Sequence, residues 1–363
     1  MRTWQVALVV LMVGGLAAFA ALRGWWRQPD EAAQHIVITP QMTHESGDEA
    51  MTPAPGRIAF VSQRDGHPQL YACDADGGNQ VNLSNTSAAD GAPCWSPDGQ
   101  LLAFVRTDND SSDVWVMAPD GSGQRALTQS GQYVMEVSWS PDGATIAFAT
   151  HGADGRWGIA TVDVAGGEPL PLTPSDAEDS APRFSPDGSL IAFTAGVDGS
   201  GGIWVMEPNG GQRRRVSSDA GRATRPLWSP DGACIAFASE RDGVAGVHAV
   251  NVKTGEEREL PTSGLFPQPD SWSPDGSRIA CTATHDSVLH VSLVGLDGKD
   301  AARLTEDDGG DWGAAWSPDG SHIAFVSDRD GNDELYVMSA TGGKAHRLTN
   351  NDVHDGEPVW RPE

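Results

Sequence analysis

Apolar residues occur along most of this chain in short runs that alternate with polar, glycine-rich stretches. Ile146-Ala147-Phe148 and Ile323-Ala324-Phe325 are typical runs, and Val114-Trp115-Val116-Met117 is a longer one. Short apolar runs bounded by turn residues are typical of β-strands, whereas helices need longer stretches with a period of about 3.6 residues. No long run at helical spacing occurs after residue 25. The pattern therefore predicts an all-β protein.

A repeat of 44 or 45 residues organises these runs, and its marker is the tetrapeptide Ser-Pro-Asp-Gly. A period of about 40 to 45 residues is that of one four-stranded propeller blade. The six tetrapeptides begin at Ser96, Ser140, Ser185, Ser229, Ser273 and Ser317. The aromatic residues before them, with a degenerate seventh copy at the end of the chain, are Trp95, Trp139, Phe184, Trp228, Trp272, Trp316 and Trp360.

Each period divides into four short strands, A to D. The aromatic residue closes strand A, and Ser-Pro-Asp-Gly forms the hairpin turn to strand B, because Pro restricts φ and Gly accepts a left-handed conformation. The repeated aromatic residues are expected to pack between blades. Strand B occurs seven times, beginning at Ile58, Leu102, Ile146, Ile191, Ile235, Ile279 and Ile323.

The chain starts with a lone B-C-D set near Arg57 and ends with a lone strand A at Trp360. Joining these two fragments makes one more blade and removes the exposed sheet edges that an open ring would leave. The sequence therefore predicts a seven-bladed β-propeller with four antiparallel strands per blade. In this ring the C-terminal strand joins the first three strands.

The repeat Asp-x-x-Pro-x-Trp-Ser-Pro-Asp-Gly-x-x-Ile-Ala-Phe, with Arg-Asp-Gly before strand C and Arg-Leu-Thr in strand D, resembles the TolB-like propeller repeat, a WD-repeat-like motif. It is also similar to the propeller domains of prolyl-oligopeptidase-type peptidases. The resemblance covers residues 56–363 and implies the propeller fold.

Two departures limit what the resemblance implies about function. TolB proper has six blades and an N-terminal α/β domain, whereas this chain has seven predicted blades behind a bare linker. The Tol–Pal envelope role therefore does not carry over. The peptidases add a hydrolase domain with a Gly-x-Ser-x-Gly motif, which this sequence lacks.

The N-terminal residues 1–27 contain an uncharged apolar run from Val6 to Leu22. Two interpretations remain open. Ala18-Phe19-Ala20 fits a signal-peptidase site, whereas the Trp25-Trp26 pair between Arg23 and Arg27 favours a membrane anchor. Both place the propeller outside the cytoplasm, in the periplasm or at the cell surface. Residues 28–55, rich in Pro, Gln, Glu, Asp and Thr, are predicted to form a disordered linker.

The net charge of −26 argues against nucleic acid as a partner, because phosphates would be repelled. The loops D–A and B–C, which emerge together on one face of a propeller, hold 22 acidic residues against six arginines. This acidic loop face predicts a protein or peptide partner, with a basic one favoured. The propeller itself is expected to be monomeric.

Candidate binding residues lie where strand A enters the ring. Aspartates stand five positions before the closing aromatic residue in four blades, at Asp90, Asp179, Asp311 and Asp355. These carboxylates either tie their loops to the blade or form a crown that binds a cation or a basic peptide. Four further residues from the same region are predicted to shape selectivity, namely Glu136, Arg225, Trp312 and Glu357.

No catalytic or metal-binding pattern stands out. The ten histidines are scattered, and no His-Glu-x-x-His motif occurs. The loop Asp328-x-Asp330-Gly331-Asn332-x-Glu334 faintly resembles a calcium loop, but Asp-Gly hairpins recur in such repeats as turns, and this is the favoured explanation. The sequence therefore favours a non-catalytic binding or scaffold module without a cofactor. A hydrolase or lyase working in the channel mouth is the alternative.

Overall fold

The computed structural model describes residues 56–152, 155–174, 177–196, 201–218, 221–262, 264–297 and 301–363. The predicted anchor or signal peptide (1–27) and the linker (28–55) lie outside these ranges. Within them, the chain forms 28 strands in seven four-stranded antiparallel sheets and no helix. The prediction of a seven-bladed all-β propeller is thus confirmed. No helix in the described part of the chain could cross a membrane.

The first three strands and the blades that follow have these bounds. The chain begins with β1 (Arg57–Ser62), β2 (Gln69–Asp74) and β3 (Val81–Asn82). Blade 1 contains β4 (Ala89–Trp95), β5 (Leu102–Asp108), β6 (Ser111–Met117) and β7 (Arg125–Ala126). Blade 2 contains β8 (Val134–Trp139), β9 (Thr145–His151), β10 (Trp157–Asp163) and β11 (Leu170–Pro171). Blade 3 contains β12 (Asp179–Phe184), β13 (Ile191–Ala195), β14 (Gly202–Met206) and β15 (Arg214–Arg215).

The remaining blades follow the same plan. Blade 4 contains β16 (Arg222–Trp228), β17 (Cys234–Arg241), β18 (Val244–Asn251) and β19 (Glu257–Leu260). Blade 5 contains β20 (Leu265–Trp272), β21 (Arg278–His285), β22 (Val288–Gly295) and β23 (Ala301–Arg303). Blade 6 contains β24 (Asp311–Trp316), β25 (His322–Ser327), β26 (Glu334–Ser339) and β27 (His346–Arg347). The last strand is β28 (Asp355–Trp360).

The last strand completes the ring. β28 pairs antiparallel with β1 in the sheet order β28-β1-β2-β3, which we call the closing blade, and Trp360 lies opposite Ile58. The strand A of each blade is innermost and packs against the strand A of both neighbouring blades around the full circle. The seven inner strands therefore surround the axial channel, and the D–A loops and B–C hairpins form one face, the loop face.

The Ser-Pro-Asp-Gly turns show why the sequence bends where it does. In all six, the serine Oγ donates to the aspartate Oδ1 at 2.5–2.6 Å, and that carboxylate accepts the backbone N–H two residues later. The glycine, such as Gly99 at φ 63°, adopts the left-handed conformation that other residues avoid. The tetrapeptide thus fixes the A–B hairpin locally, before any packing between blades.

The repeated tryptophans connect neighbouring blades through their indole N–H groups. Trp139 donates to the backbone oxygen of Cys94 at 2.9 Å, and Trp228 donates to that of Arg183 at the same distance. Trp95, Trp272 and Trp360 make equivalent bonds to the preceding blade. The Nε1 of Trp316 is buried and has no acceptor among the described residues. The phenylalanines of strand B are almost wholly buried.

Each inner strand carries a β-bulge just before its aromatic residue, between the fourth and first residues before it in six blades and between the third and first in blade 5. A bulge re-aims side chains and bends the strand. In six blades the residue three positions before the aromatic residue has a positive φ, at Ala92, Glu136, Ala181, Arg225, Gly313 and Glu357. Blade 5 differs, because it has Pro269 at this position and a second bulge between Leu265 and Gln268.

Candidate functional site

The four predicted aspartates of the inner strands are buried rather than open to solvent. Asp90 and Asp179 are 1% exposed, and Asp311 and Asp355 are 0% exposed. Each forms an ion pair with an arginine of its own blade, at 2.7–3.0 Å; the pairs are Asp90–Arg106, Asp179–Arg213, Asp311–Arg329 and Asp355–Arg64. Because a neighbouring guanidinium compensates each carboxylate, these aspartates do not present free charge to the channel.

Each of these arginines also stacks on a pair of aromatic rings that face each other across strands B and C. In blade 1, the guanidinium of Arg106 lies 4.4 Å from the centre of the Trp115 ring and 5.2 Å from that of Phe104. The matching ring pairs are Phe60–Tyr71, Phe193–Trp204 and Phe325–Tyr336. Burial raises the pKa of Asp90 and Asp179, although the arginines oppose this shift. Aspartate, arginine and two rings therefore form one packed unit around a buried carboxylate in four blades.

Blade 4 builds the same arrangement from a different strand. Its inner strand has Ala223 in place of the aspartate, and Glu257 on β19 pairs with Arg241 instead. Burial opposes ionisation of Glu257, but hydrogen bonds from His248, Arg241 and the backbone N–H of Ser218 outweigh it and lower its pKa to about 2. The arginine therefore keeps a carboxylate partner even where the inner strand does not supply one.

Glu136 and Glu357 occupy bulge positions and reach across to the next blade. Glu357 Oε2 accepts the backbone N–H of Ala92 at 2.8 Å, and Glu136 Oε2 accepts that of Ala181 at 2.6 Å. Burial raises the pKa of Glu357. In two other blades, a threonine hydroxyl of strand B makes the equivalent hydrogen bond to the next blade. Thr194 accepts the backbone N–H of Arg225, and Thr282 accepts that of Gly313. The two glutamates therefore connect neighbouring blades.

The other two predicted residues lie on inner strands of different blades. Arg225 of blade 4 is exposed, and its backbone is left-handed at φ 60°. Trp312 of blade 6 is half-buried, and its ring lies close to Gly310. The structure thus brings the eight predicted residues to the inner strands, but distributes them around the ring rather than into one cluster.

Asp270 is an inner-strand carboxylate that our sequence predictions missed. Its Oδ2 accepts the hydroxyl proton of Thr282 at 2.6 Å, and burial raises its pKa to about 6 although Thr282 and Arg225 oppose the shift. The sequence does contain a feature that distinguishes Asp270, because the residue at this position differs from that of most other blades. Where blade 5 has Asp270, four other blades have proline, at Pro93, Pro182, Pro226 and Pro358.

A groove of about 640 Å³ opens on the loop face beside blade 1. Its wall includes the exposed Asp108 and Asp110, the half-buried Asp113, and Trp115 with its stacked Arg106. In the part of the chain that the structure describes, none of the three carboxylates forms an ion pair; Arg106 pairs with Asp90, and Asp113 accepts a hydrogen bond from the Thr128 hydroxyl at 2.9 Å. This groove, which the repeat pattern did not single out, is where the loop face presents uncompensated negative charge next to an aromatic ring.

The calcium-like loop of blade 6 is occupied by protein hydrogen bonds. Glu334 Oε1 accepts from Arg347, from the Asn332 side chain and from the backbone N–H of Asn351, at 2.7–3.0 Å. Asp328 Oδ1 accepts the N–H of Gly310 at 2.6 Å, and Asp330 bonds the Tyr336 hydroxyl. The carboxylates thus point to different partners. The described residues contain no group of three or more His, Cys, Asp or Glu side chains that could hold a metal ion.

Comparison with known families agrees with this architecture. The model of the TolB beta propeller domain matches residues 32–180, 172–270 and 262–363, which together cover most of the chain. The chain belongs to the TolB β-propeller family. Two curated relatives match short segments of this TolB-type propeller. The Tol-Pal system protein TolB of Desulfosudis oleivorans is 43% identical over 58 residues, and a TolB homolog of Chlorobaculum tepidum is 46% identical over 43 residues.

These segments cover 15% and 12% of this chain and only 13% and 10% of the two relatives. Solved structures resemble much more of the propeller at lower identity. TolB from Acinetobacter baumannii matches with a TM-score of 0.57 and 22% identity, over 82% of this chain and 79% of that one. These values indicate a shared fold and leave activity undetermined.

Two enzymes share the fold as well. An oligogalacturonate lyase from Vibrio parahaemolyticus has a TM-score of 0.64 at 17% identity, over 78% of this chain and 86% of its own. A puromycin-hydrolyzing peptidase from Mycobacterium tuberculosis has a TM-score of 0.67 at 16% identity, over 82% of this chain and 51% of its own. The fold is thus shared with TolB and with enzymes, so function must be argued from the side chains of the site.

Proposed function

We propose that this protein is a non-catalytic, extracytoplasmic binding module that recognises a protein or peptide through its acidic loop face. The observation that carries the proposal is the groove beside blade 1, where Asp108, Asp110 and Asp113 have no ion-pair partner among the described residues and stand next to Trp115. Carboxylates beside an aromatic ring suit a lysine or arginine side chain, which gains both charge pairing and ring contact. A basic peptide segment is therefore the favoured ligand.

The predicted site residues have two roles within this proposal. Arg225, Trp312, Glu136 and Glu357 lie at the inner strands and contact a ligand that extends from the groove toward the axial channel. The four aspartates Asp90, Asp179, Asp311 and Asp355 act from behind the surface, because each holds an arginine in place. Arg106 illustrates this role, since it pairs with Asp90 and also lines the groove.

The proposed location and assembly state follow from the sequence. Residues 1–27 export the propeller and either anchor it in the membrane or are removed as a signal peptide. The pairing of β28 with β1 leaves no inner sheet edge that requires a second chain. We therefore propose a monomeric propeller that meets its partner outside the cytoplasm.

The test compares two triple variants with the same change in charge. The groove variant combines Asp108→Asn, Asp110→Asn and Asp113→Asn. The control combines Asp76→Asn, Asp120→Asn and Asp163→Asn in the C–D turns of the opposite face, where asparagine can still accept the turn hydrogen bonds. The ligand is a fluorescent peptide of alternating lysine and glycine, and the full-length protein is held in detergent.

The affinity of the groove variant for the peptide is expected to fall about tenfold or more, which is the loss of roughly 1.4 kcal/mol. The control should change less than about twofold, because screening removes the influence of distant surface charges. Equal losses of affinity in both variants would show that only the net charge of the protein matters, and would reject the groove as the binding site.

One observation favours an enzyme as the second candidate. Asp270 lies on the innermost strand of blade 5, and its pKa of about 6 would suit a general acid or base near neutral pH. A hydrolase or lyase would then act in the channel mouth. Wild-type protein and Asp270→Asn should be assayed on peptide amides and uronate oligomers. Turnover by the wild type that disappears in the variant would replace the binding proposal.

A further inference from the structure

The inner strand of blade 5 has an irregularity that pushes apolar residues into solvent. Its second bulge, between Leu265 and Gln268, adds a residue that no other inner strand has. As a result Leu265 is 60% exposed and Phe266 is 37% exposed, at the end of the strand that meets the loop face. Phe266 also has a φ of 50°, a conformation that bulky side chains rarely adopt.

A third exposed apolar residue lies next to this pair. Val244 is 67% exposed and begins β18 of blade 4, which packs against β20 of blade 5. Both strands start at the loop face, so Val244 and Leu265 occupy adjacent strand ends. We call Val244, Leu265 and Phe266 the apolar patch. Three of the five large apolar side chains that are exposed in the described part of the chain thus gather on one sector of the loop face.

The charges around the apolar patch indicate what could cover it. The D–A loop of residues 261–268 contains no charged residue, whereas exposed carboxylates surround it. Two of them are on the hairpins of blades 4 and 5, at Asp242 and Asp286, and two are on the next D–A loop, at Glu306 and Asp308. Two bases lie near these strand ends, and each has a carboxylate close by: Arg241, opposite Val244, pairs with Glu257, and the exposed Arg222 lies opposite Glu240 in the strand pairing.

We propose that the apolar patch is an anchor site for a partner segment that carries a large apolar side chain flanked by lysines or arginines. The apolar side chain covers Leu265, Phe266 and Val244, and the basic residues meet the carboxylates around them. This inference rests on the proposed function, because it assigns to the same partner a second contact on the loop face. It adds that recognition is amphipathic rather than purely electrostatic.

The experiment uses two labelled hexapeptides and the full-length protein in detergent. Both peptides have two lysines on each side of a central pair, which is Leu-Phe in one and Gly-Ser in the other. Binding is measured by fluorescence anisotropy. The test variant is Leu265→Ser with Phe266→Ser. The matched control is Val81→Ser with Leu170→Ser, which removes two exposed apolar residues from outer strands.

Wild-type protein and the control should bind the Leu-Phe peptide about tenfold more tightly than the Gly-Ser peptide, as expected for partial burial of two apolar side chains. The test variant should bind both peptides equally. Thermal unfolding of all three proteins checks that the test variant still folds. Retention of the tenfold preference in a folded test variant would overturn the proposal, as would the lack of any preference in the wild type.

The groove variant separates this inference from the proposed function. If Asp108→Asn with Asp110→Asn and Asp113→Asn leaves both affinities unchanged, the groove is wrong, while the preference for Leu-Phe still supports the anchor site. Dimerisation of the wild type that disappears in the test variant would assign the apolar patch to self-association. That result would overturn the proposed occupant.

Discussion

Blades 1 and 5 have the same hairpin turns and the same closing tryptophan, yet their inner surfaces differ. Blade 1 pairs Phe104 with Trp115 across strands B and C, and Arg106 stacks on these rings and binds Asp90. At the equivalent positions blade 5 pairs Cys281 with Ser292. Without two rings to stack on, the arginine is absent, and Pro267 replaces the aspartate.

This contrast shows which parts of a blade depend on one another. The turn and the tryptophan are kept in both blades because they form the hairpin and the contact to the next blade. Between these two blades the rings, arginine and aspartate are kept or lost together, because removing one member of a buried ion pair leaves the other uncompensated; in blade 4 the arginine persists with Glu257 in place of the aspartate. Blade 5 lacks the aspartate, arginine and ring unit. It has instead an extra bulge, a carboxylate with a raised pKa and exposed apolar residues.

The largest expected effect concerns the buried ion pair of blade 1. Asp90→Ala should lower the free energy of unfolding by about 3–5 kcal/mol, because it leaves Arg106 without its partner in a buried site. Pro267→Ala, at the matching position of blade 5, should change it by less than about 1 kcal/mol. Urea denaturation measures both. Similar losses would show that the position matters for the strand itself and not for the ion pair.

A smaller effect should appear in the pH dependence of blade 5. The pKa of Asp270 is raised to about 6, above the usual value of about 4 in the unfolded chain. The folded protein therefore holds this proton more tightly, and its stability falls as pH rises from about 4 to about 6. Asp270→Asn lacks this loss, so by pH 7 it should gain about 2 kcal/mol relative to the wild type.

The measurement is the difference in urea stability between Asp270→Asn and wild type at several pH values from 4 to 7.5. Taking this difference cancels the titration of all other groups. A difference that does not change with pH would mean that Asp270 ionises in the folded protein as it does in the unfolded chain. The same pH series on Asp90→Asn provides the comparison with blade 1.

The smallest effect should distinguish the interfaces of the two blades. Trp139 donates its indole N–H to Cys94 of blade 1, whereas the Nε1 of Trp316, next to blade 5, has no acceptor among the described residues. Trp139→Phe should therefore lower stability by about 1 kcal/mol more than Trp316→Phe, which is the net worth of a typical hydrogen bond. Equal changes in thermal unfolding would indicate that only ring size matters at both interfaces.

The fold could be predicted almost entirely from the sequence because local chemistry repeats. Each Ser-Pro-Asp-Gly turn is specified by four consecutive residues, and the spacing from Trp95 to Trp360 counts the blades. The closing blade followed from the leftover strands at the two ends. The site was harder, because Asp90 and Asp110 are equally acidic in the sequence, yet one is buried in an ion pair and the other is exposed.

Such residues are distinguished by their side-chain neighbours on the adjacent strands. The aspartate at the start of the inner strand occurs in the four blades that also have two rings on strands B and C, so comparing the repeats could have predicted the ion pairs. Asp270 could have been found as an exception to the prolines of four other blades. The second bulge at Phe266 had no such signal, because the loop before it absorbs the extra residue and the 44-residue spacing is unchanged.

The pairing of Trp360 with Ile58 also determines when this protein can finish folding. Blades 1 to 6 are each contiguous in sequence, so each can form as soon as its own residues are available. The closing blade must wait for the last strand, and contacts between such distant residues form slowly. Until then β1 keeps an unpaired edge, to which the last strand of another molecule could bind. Exchange of β28 between chains is therefore a misfolding route open to this ring until its last strand has been synthesised and paired.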